Sequence, residues 1–242
     1  MGLIEDSATL VEWAINVAQV PPNRIVLMGQ SLGTAVASGV AERYALDGVE
    51  FAGIVLVAGF SDLATMLSEY RMGGVFPVLA PFRAWPSLLR LLHRFVVDKW
   101  HSAGRLENIV KHTKSRLRIN LVHAKDDKDI PWTEDDKLFR AATNGTTGSM
   151  SDEEFKHWKE EQTVTKGEDA FVTTWKSEPN IVVRQELFPR GGKFSARVSL
   201  RSEVKLTKSI GHNGIMGSAP VALAIMRSFD LYGAASDSEV IN

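Results

Sequence analysis

Gly29-Gln30-Ser31-Leu32-Gly33 has the residue types and spacing that turn a serine into a nucleophile. A serine hydroxyl is weakly nucleophilic and must meet a base and a substrate together. A sharp strand-to-helix turn lifts it above a sheet, and glycines two before and two after keep neighbouring backbone clear. The flanks fit this. Arg24-Ile25-Val26-Leu27-Met28 reads as a short buried strand, and the residues after Ser31 read as a helix rich in small side chains, ending near Asp47-Gly48. Ser31 at that helix's N-terminus has free backbone N–H groups nearby, Leu32 N–H among them, which favour developing negative charge. A bare G-x-S-x-G arises by chance in roughly one chain in ten of this length, so this context carries the weight.

The fold that uses such an elbow orders its triad as serine, then acid, then histidine. The segment His123-Ala124-Lys125-Asp126-Asp127-Lys128-Asp129-Ile130-Pro131 follows a third apolar strand, Leu117–His123, and offers Asp126, Asp127 and Asp129 as candidate acids. Ile210-Gly211-His212-Asn213-Gly214 places His212 in a glycine-flanked loop, free to take the serine's proton and return it to the leaving group. Of the other histidines, His93, His101, His112 and His157 read as surface residues, and His123 as structural.

The elements that must position these groups alternate strand and helix. A helix is expected over 7–19 with Ser7 as N-cap and Leu10, Ala14, Val17 and Ala18 as its apolar face. Further strands are expected at Phe51–Ala58 and Val204–Ser209, with a closing helix at 218–230. This rhythm predicts an α/β fold, a parallel sheet covered by helices on both faces. Two segments break it. Residues 64–100 are apolar and proline-punctuated, read as a helical cap insertion. Residues 143–200 are polar, read as an insertion with disorder in its first half or a hairpin around Ile181–Leu200.

With 242 residues, 44% hydrophobic and 24% charged, the chain suits a single domain with a sizeable core. A formal net charge of −1 gives no reason to expect nucleic acid as a partner. The absence of cysteine excludes disulfides, thiolate catalysis and Cys-ligated zinc. Ile4-Glu5-Asp6-Ser7 interrupts any secretory signal, and no apolar run is long enough for a transmembrane helix.

Gly-x-Ser-Leu-Gly-Thr-x-Val-Ala at 29–37, His-Ala-x-Asp-Asp-x-x-Ile-Pro at 123–131 and the late Gly-His at 211–212 resemble the α/β-hydrolase-domain lipases of the monoacylglycerol lipase and lysophospholipase type. The likeness covers about 3–62, 98–140 and 203–230, and nothing within 143–200. It implies the α/β-hydrolase fold with Ser31, Asp127 and His212 as triad, since the family's acid stands two residues clear of a Val/Ile-Pro pair, as Asp127 does before Ile130-Pro131; Asp126 is the alternative. It implies cleavage of carboxylic acyl esters, monoacylglycerols or lysophospholipids, with no metal and no cofactor. It also implies membrane association, at the endoplasmic reticulum, in a full-length form. Segment 75–97, from Val75 to Val97 with Arg83, Arg90, His93 and Arg94 interspersed, is a cap helix or an amphipathic element meeting a lipid surface.

In that family the nucleophile follows the fifth strand. Here Ser31 comes almost at once, so the early strands, and the loop giving the second oxyanion donor, have no counterpart. The expectation is a partial α/β-hydrolase domain, a four-stranded parallel sheet with the Ile25–Met28 strand at its edge. The rival functions are a serine peptidase of the same fold and a catalytically inert hydrolase-like fragment.

Overall fold

Pro21-Pro22 ends one helix and turns the chain through a short 3₁₀ segment, Pro22–Arg24, into the first strand. In this computed structural model, residues 2–63, 65–66, 85, 87, 94, 99–113, 118–166, 172–178, 181–187, 196–202 and 210–229 are described. In chain order these form α1 (Gly2–Asn16), β1 (Val26–Gln30), α2 (Leu32–Leu46), β2 (Gly53–Val57), α3 (Ser102–His112), β3 (Ile119–Ala124), α4 (Thr133–Thr147) and α5 (Asp152–Lys166). They continue with β4 (Val172–Glu178), β5 (Ile181–Leu187), β6 (Ala196–Ser202), the single turn α6 (Gly211–Gly214) and α7 (Ala219–Ser228).

The sheet runs β1-β2-β3-β6-β5-β4. β1, β2, β3 and β6 are mutually parallel, in registers such as Leu27 with Ile54, Leu56 with Leu121, and Val122 with Val198. β5 and β4 extend it antiparallel, β5 and β6 forming a hairpin that pairs Ile181 with Ser202 and Leu187 with Ala196. β1 is one edge of this sheet, and an edge strand presents a row of unpaired backbone groups.

All five residues of β2 are buried, because helices cover both faces of the sheet. Alternation along the strand divides them. Ile54 and Leu56 join a core built with Leu27, Val40, Leu106, Ile109, Leu121, Leu138, Phe139 and Phe155, so α2 to α5 lie on that side. Val55 and Val57 join Val122, Ala124, Val221 and Ala224, so α7 covers the other. The small residues of α2 allow close packing: a Cβ on Gly39 would lie 2.5 Å from Ile4 Cδ1 of α1. The fold class is α/β: four parallel strands with an antiparallel extension, flanked by helices, with a strand–elbow–helix unit at β1, Ser31 and α2.

Several sequence expectations shift. α1 starts at Gly2, so Ser7 lies within the helix rather than capping it. Its buried face is Ile4, Ala8 and Val11, whereas Leu10 and Val17 are 65% and 66% exposed. The helix carries two apolar stripes, and α2 packs on the smaller, where Gly39 admits Ile4. Residues 143–200 hold the end of α4, all of α5, β4 and β5, and most of β6. α5 opens on a capping box, Glu154 N–H donating to Ser151 Oγ at 3.2 Å and Ser151 N–H to Glu154 Oε2 at 2.7 Å. The parallel neighbour of β3 on the side away from β2 is β6, while the strand expected at Val204–Ser209 lies outside the described residues. So does most of 64–100, the segment expected to form a cap, including nearly all of 75–97. Among the described residues, no helix is long and apolar enough to cross a membrane.

Candidate active site

Ser31 sits between β1 and α2 with φ 53° and ψ −124°, a left-handed conformation that costs a serine on the order of 1–3 kcal/mol. The sheet holds it there: Ser31 N–H donates to Val57 O at 3.0 Å, and Thr34 Oγ1 donates to Ser31 O at 2.6 Å. A serine at a helix N-cap ordinarily spends its hydroxyl on the helix's free N–H groups. Ser31 makes no such bond. Its hydroxyl is left available at the carboxyl end of a strand, and Leu32 N–H, at the first position of α2, lies outside the helix ladder.

The two glycines of the elbow differ. A Cβ on Gly29 would fall deep inside the backbone of Gly33 and 2.7 Å from Thr34 N, none of which can move without opening the turn. A Cβ on Gly33 meets nothing within 4 Å among the described residues. The turn therefore requires glycine at 29 and not at 33, a correction to the sequence reading, in which both kept backbone clear. Gly29→Ala is expected to destabilise by about 3 kcal/mol or to abolish folding. Gly33→Ala is expected to be neutral or stabilising by up to about 1 kcal/mol, from helix propensity. Urea unfolding of the two variants checks this; equal destabilisation would count against the elbow geometry.

The three candidate acids take three different roles. Asp127 Oδ2 accepts from His212 Nδ1 at 2.8 Å, the Asp127 side chain being fully buried and that of His212 13% exposed. Asp127 Oδ1 accepts the N–H groups of Asp129 and Ile130, at 2.9 and 3.0 Å, which fixes the carboxylate's plane. Asp126 instead accepts Ile210 N–H at 2.7 Å and Gly211 N–H at 3.2 Å, so it binds the backbone leading to His212 and not the ring. Asp129 lies near the pair without bonding the imidazole; one ligand atom each from Asp127, Asp129 and His212 falls within 4.8 Å. Those atoms could approach a cation, but Asp127 Oδ2 is engaged by His212 Nδ1.

Electrostatics follow from these contacts. Burial pushes the Asp127 carboxyl up, and hydrogen bonds from His123, His212 and Ile130 N–H outweigh it, holding Asp127 well below the usual carboxylate range. The bond to Asp127 raises His212 above its ordinary 6.5 against an opposing effect of burial, with the charges of Asp127 and Asp129 adding to the rise.

His123, at the end of β3, is fully buried. Its Nε2 lies 3.1 Å from Ile130 O, which can only accept, and 3.5 Å from Asp127 Oδ2. It belongs to the acid's surroundings rather than to an exposed site. His101, His112 and His157 are exposed. Beneath the acid loop, Glu134 is fully buried and accepts Ser61 N–H at 2.7 Å and Ser61 Oγ at 2.6 Å, with Lys137 as ion-pair partner. It ties the chain leaving β2 to the start of α4, immediately after the acid loop.

One connection joins elbow and histidine: Gln30 Nε2 donates to His212 O at 2.8 Å, across 182 residues of sequence. The carbonyl can only accept, so the amide nitrogen must face it. Ser31 Oγ makes no hydrogen bond among the described residues. In unliganded sites this bond is often long and tightens only with substrate. The roles of Gln30, Asp126 and Glu134 carry no local sequence signal, since each acts on a partner distant in the chain.

Fold and site together define an α/β protein in which a strand–serine–helix turn is tied, through Gln30, to an aspartate–histidine pair. No family model matches the chain. It is similar to the human Protein ABHD12B, 31% identical over 143 residues, covering 59% of this chain and 36% of that protein. It is also similar to the Uncharacterized protein YfhR of Escherichia coli strain K12, 26% identical over 141 residues, covering 58% of this chain and 41% of that protein. The chain thus spans about two fifths of the length of these relatives. Among solved structures, an α/β hydrolase from Vibrio vulnificus aligns with TM-score 0.44 and 15% identity over 68% of this chain and 55% of that one.

Proposed function

We propose that the chain carries the catalytic site of a serine hydrolase of carboxylic acyl esters. The observation that carries this is the 2.8 Å bond from His212 Nδ1 to the buried Asp127 side chain, with the His212 carbonyl held by Gln30, the residue before an elbow serine whose hydroxyl does not cap its helix. With Nδ1 committed to Asp127, the imidazole keeps Nε2 for the proton of Ser31. Ser31 Oγ attacks the ester carbonyl as His212 takes that proton, and Leu32 N–H donates to the oxyanion. Collapse of the tetrahedral species breaks the ester C–O bond, and His212 returns the proton to the departing alcohol. Water then attacks the acyl-enzyme by the reverse proton path, releasing the fatty acid and Ser31. No step needs a metal or an organic cofactor.

The substrate class, monoacylglycerols or lysophospholipids, rests on the motif resemblance at 29–37, 123–131 and 211–212. Segment 75–97 would present these lipids from a membrane surface through its mixed apolar and basic residues. The test is a panel of monoacylglycerol and lysophospholipid in vesicles, a soluble short-chain ester and a peptide amide. Ester cleavage is expected, with vesicle-borne substrate selectively lost when 75–97 is deleted. Cleavage of the amide without the esters would replace this reading with a peptidase. Unchanged vesicle hydrolysis after the deletion would remove the lipid-surface role.

A further inference from the structure

The ring of His212 and its backbone are held by different residues. Asp127 holds the ring at Nδ1. Asp126 accepts the N–H groups of Ile210 and Gly211, immediately before the histidine, and Gln30 donates to the carbonyl of His212 itself. Gly211 has φ 58°, so the chain turns sharply at the point Asp126 grips. The third holder differs from the others in where it stands. Gln30 is the last residue of β1, paired with Val57 of β2, and it directly precedes Ser31. A displacement of the sheet end would therefore carry nucleophile and base together.

We infer that Gln30 is a positioning residue: with Asp126 it clamps the His212 backbone to the elbow, so that the separation of base and nucleophile is set by β1 rather than by the chain that leads into α6. This deepens the hydrolase reading and rests on it. The group required is a neutral donor. Leucine offers no hydrogen bond, and an ionised carboxylate would set two acceptors against each other. One neutral hydrogen bond adds little net stability, whereas misplacing a catalytic group by about 1 Å costs about 10² in rate. A clamp and a merely structural contact therefore differ in what they change. Loss of the clamp leaves the fold standing, leaves KM little altered and lowers kcat.

The experiment compares the wild-type chain with Gln30→Leu and Gln30→Glu. It follows the imidazole N–H resonance of His212 by NMR on histidine-labelled protein, together with thermal melting and the rate of fluorophosphonate labelling. A sharp Nδ1–H signal in the wild type, broadened in Gln30→Leu, with melting nearly unchanged and labelling slowed about 10²-fold, is the expected result. Gln30→Glu is expected to show the same broadening at alkaline pH, where its carboxylate has no proton to donate. Sharp, unshifted His212 signals in both variants would overturn the clamp. A wild type that shows the signal but never labels would count against the hydrolase reading alone, and the variants' spectra would still decide the clamp.

Discussion

Replacing Ser31 with alanine is expected to lower the turnover of an acyl ester by about 10⁵–10⁶, the scale on which removing a triad serine acts. Binding should survive, because Leu32 N–H and the walls of the site are unchanged. The melting temperature should not fall and is expected to rise. Ser31 is held at φ 53° without a capping bond to repay it, and alanine there loses no hydrogen bond. Alanine suffers the same backbone strain, so any gain comes from the hydroxyl no longer being held half-buried without a partner. Kinetics on the soluble ester with parallel melting curves check both parts. Retention of more than about a tenth of wild-type turnover, against that expected loss, would remove Ser31 from the chemistry.

The second large effect is at Asp127. Asp127→Asn keeps the shape of the side chain but can donate towards His212 Nδ1, which favours the wrong imidazole tautomer. A loss of about 10⁴ in kcat is expected, by the precedent of triads altered in this way. The pH profile should move as well. His212 works as a base only when neutral, and its bond to Asp127 raises it above 6.5, so kcat/KM of the wild type should rise through a midpoint above 6.5. In Asp127→Asn that support is gone and the midpoint should move down. The stability signs are separate. The raised His212 contributes fully below 6.5, and that contribution is lost as pH rises through its folded value. The depressed Asp127 contributes above 3.8, and that contribution is lost as pH falls through its folded value. The pair therefore stabilises most between 3.8 and 6.5, on the acid side of where it catalyses. A wild-type midpoint at or below 6.5, or one unmoved by Asp127→Asn, would contradict the assignment.

What could be read from sequence and what could not divides by range. The elbow is local: an apolar run, two glycines around a serine and a small-residue helix lie within about twenty residues, and β1, Ser31 and α2 lie there. The residues alone leave Asp126, Asp127 and Asp129 open, and His212 bonds Asp127; the work of Asp126 does not follow from any spacing, because its partners are Ile210 and Gly211. The role of Gln30 is not legible locally, since its partner lies 182 residues away. Leu10 and Val17 are larger apolar residues than Ala8 yet stay exposed, because the packing of α1 is decided by the space at Gly39 that takes Ile4. α5 was legible in principle: Ser151-Asp-Glu-Glu154 is a capping box, and Phe155 supplies its buried anchor. The polarity of the surrounding stretch masked it.

The proposed mechanism rests above all on Ser31 being an activated nucleophile in this chain. Peptide mapping by mass spectrometry after fluorophosphonate treatment tests it most directly, on wild type and on His212→Ala. One phosphonyl adduct is expected on Ser31 of the folded wild type, and none on His212→Ala under the same conditions. An adduct on another residue, equal modification of His212→Ala, or no adduct on the folded wild type would contradict it.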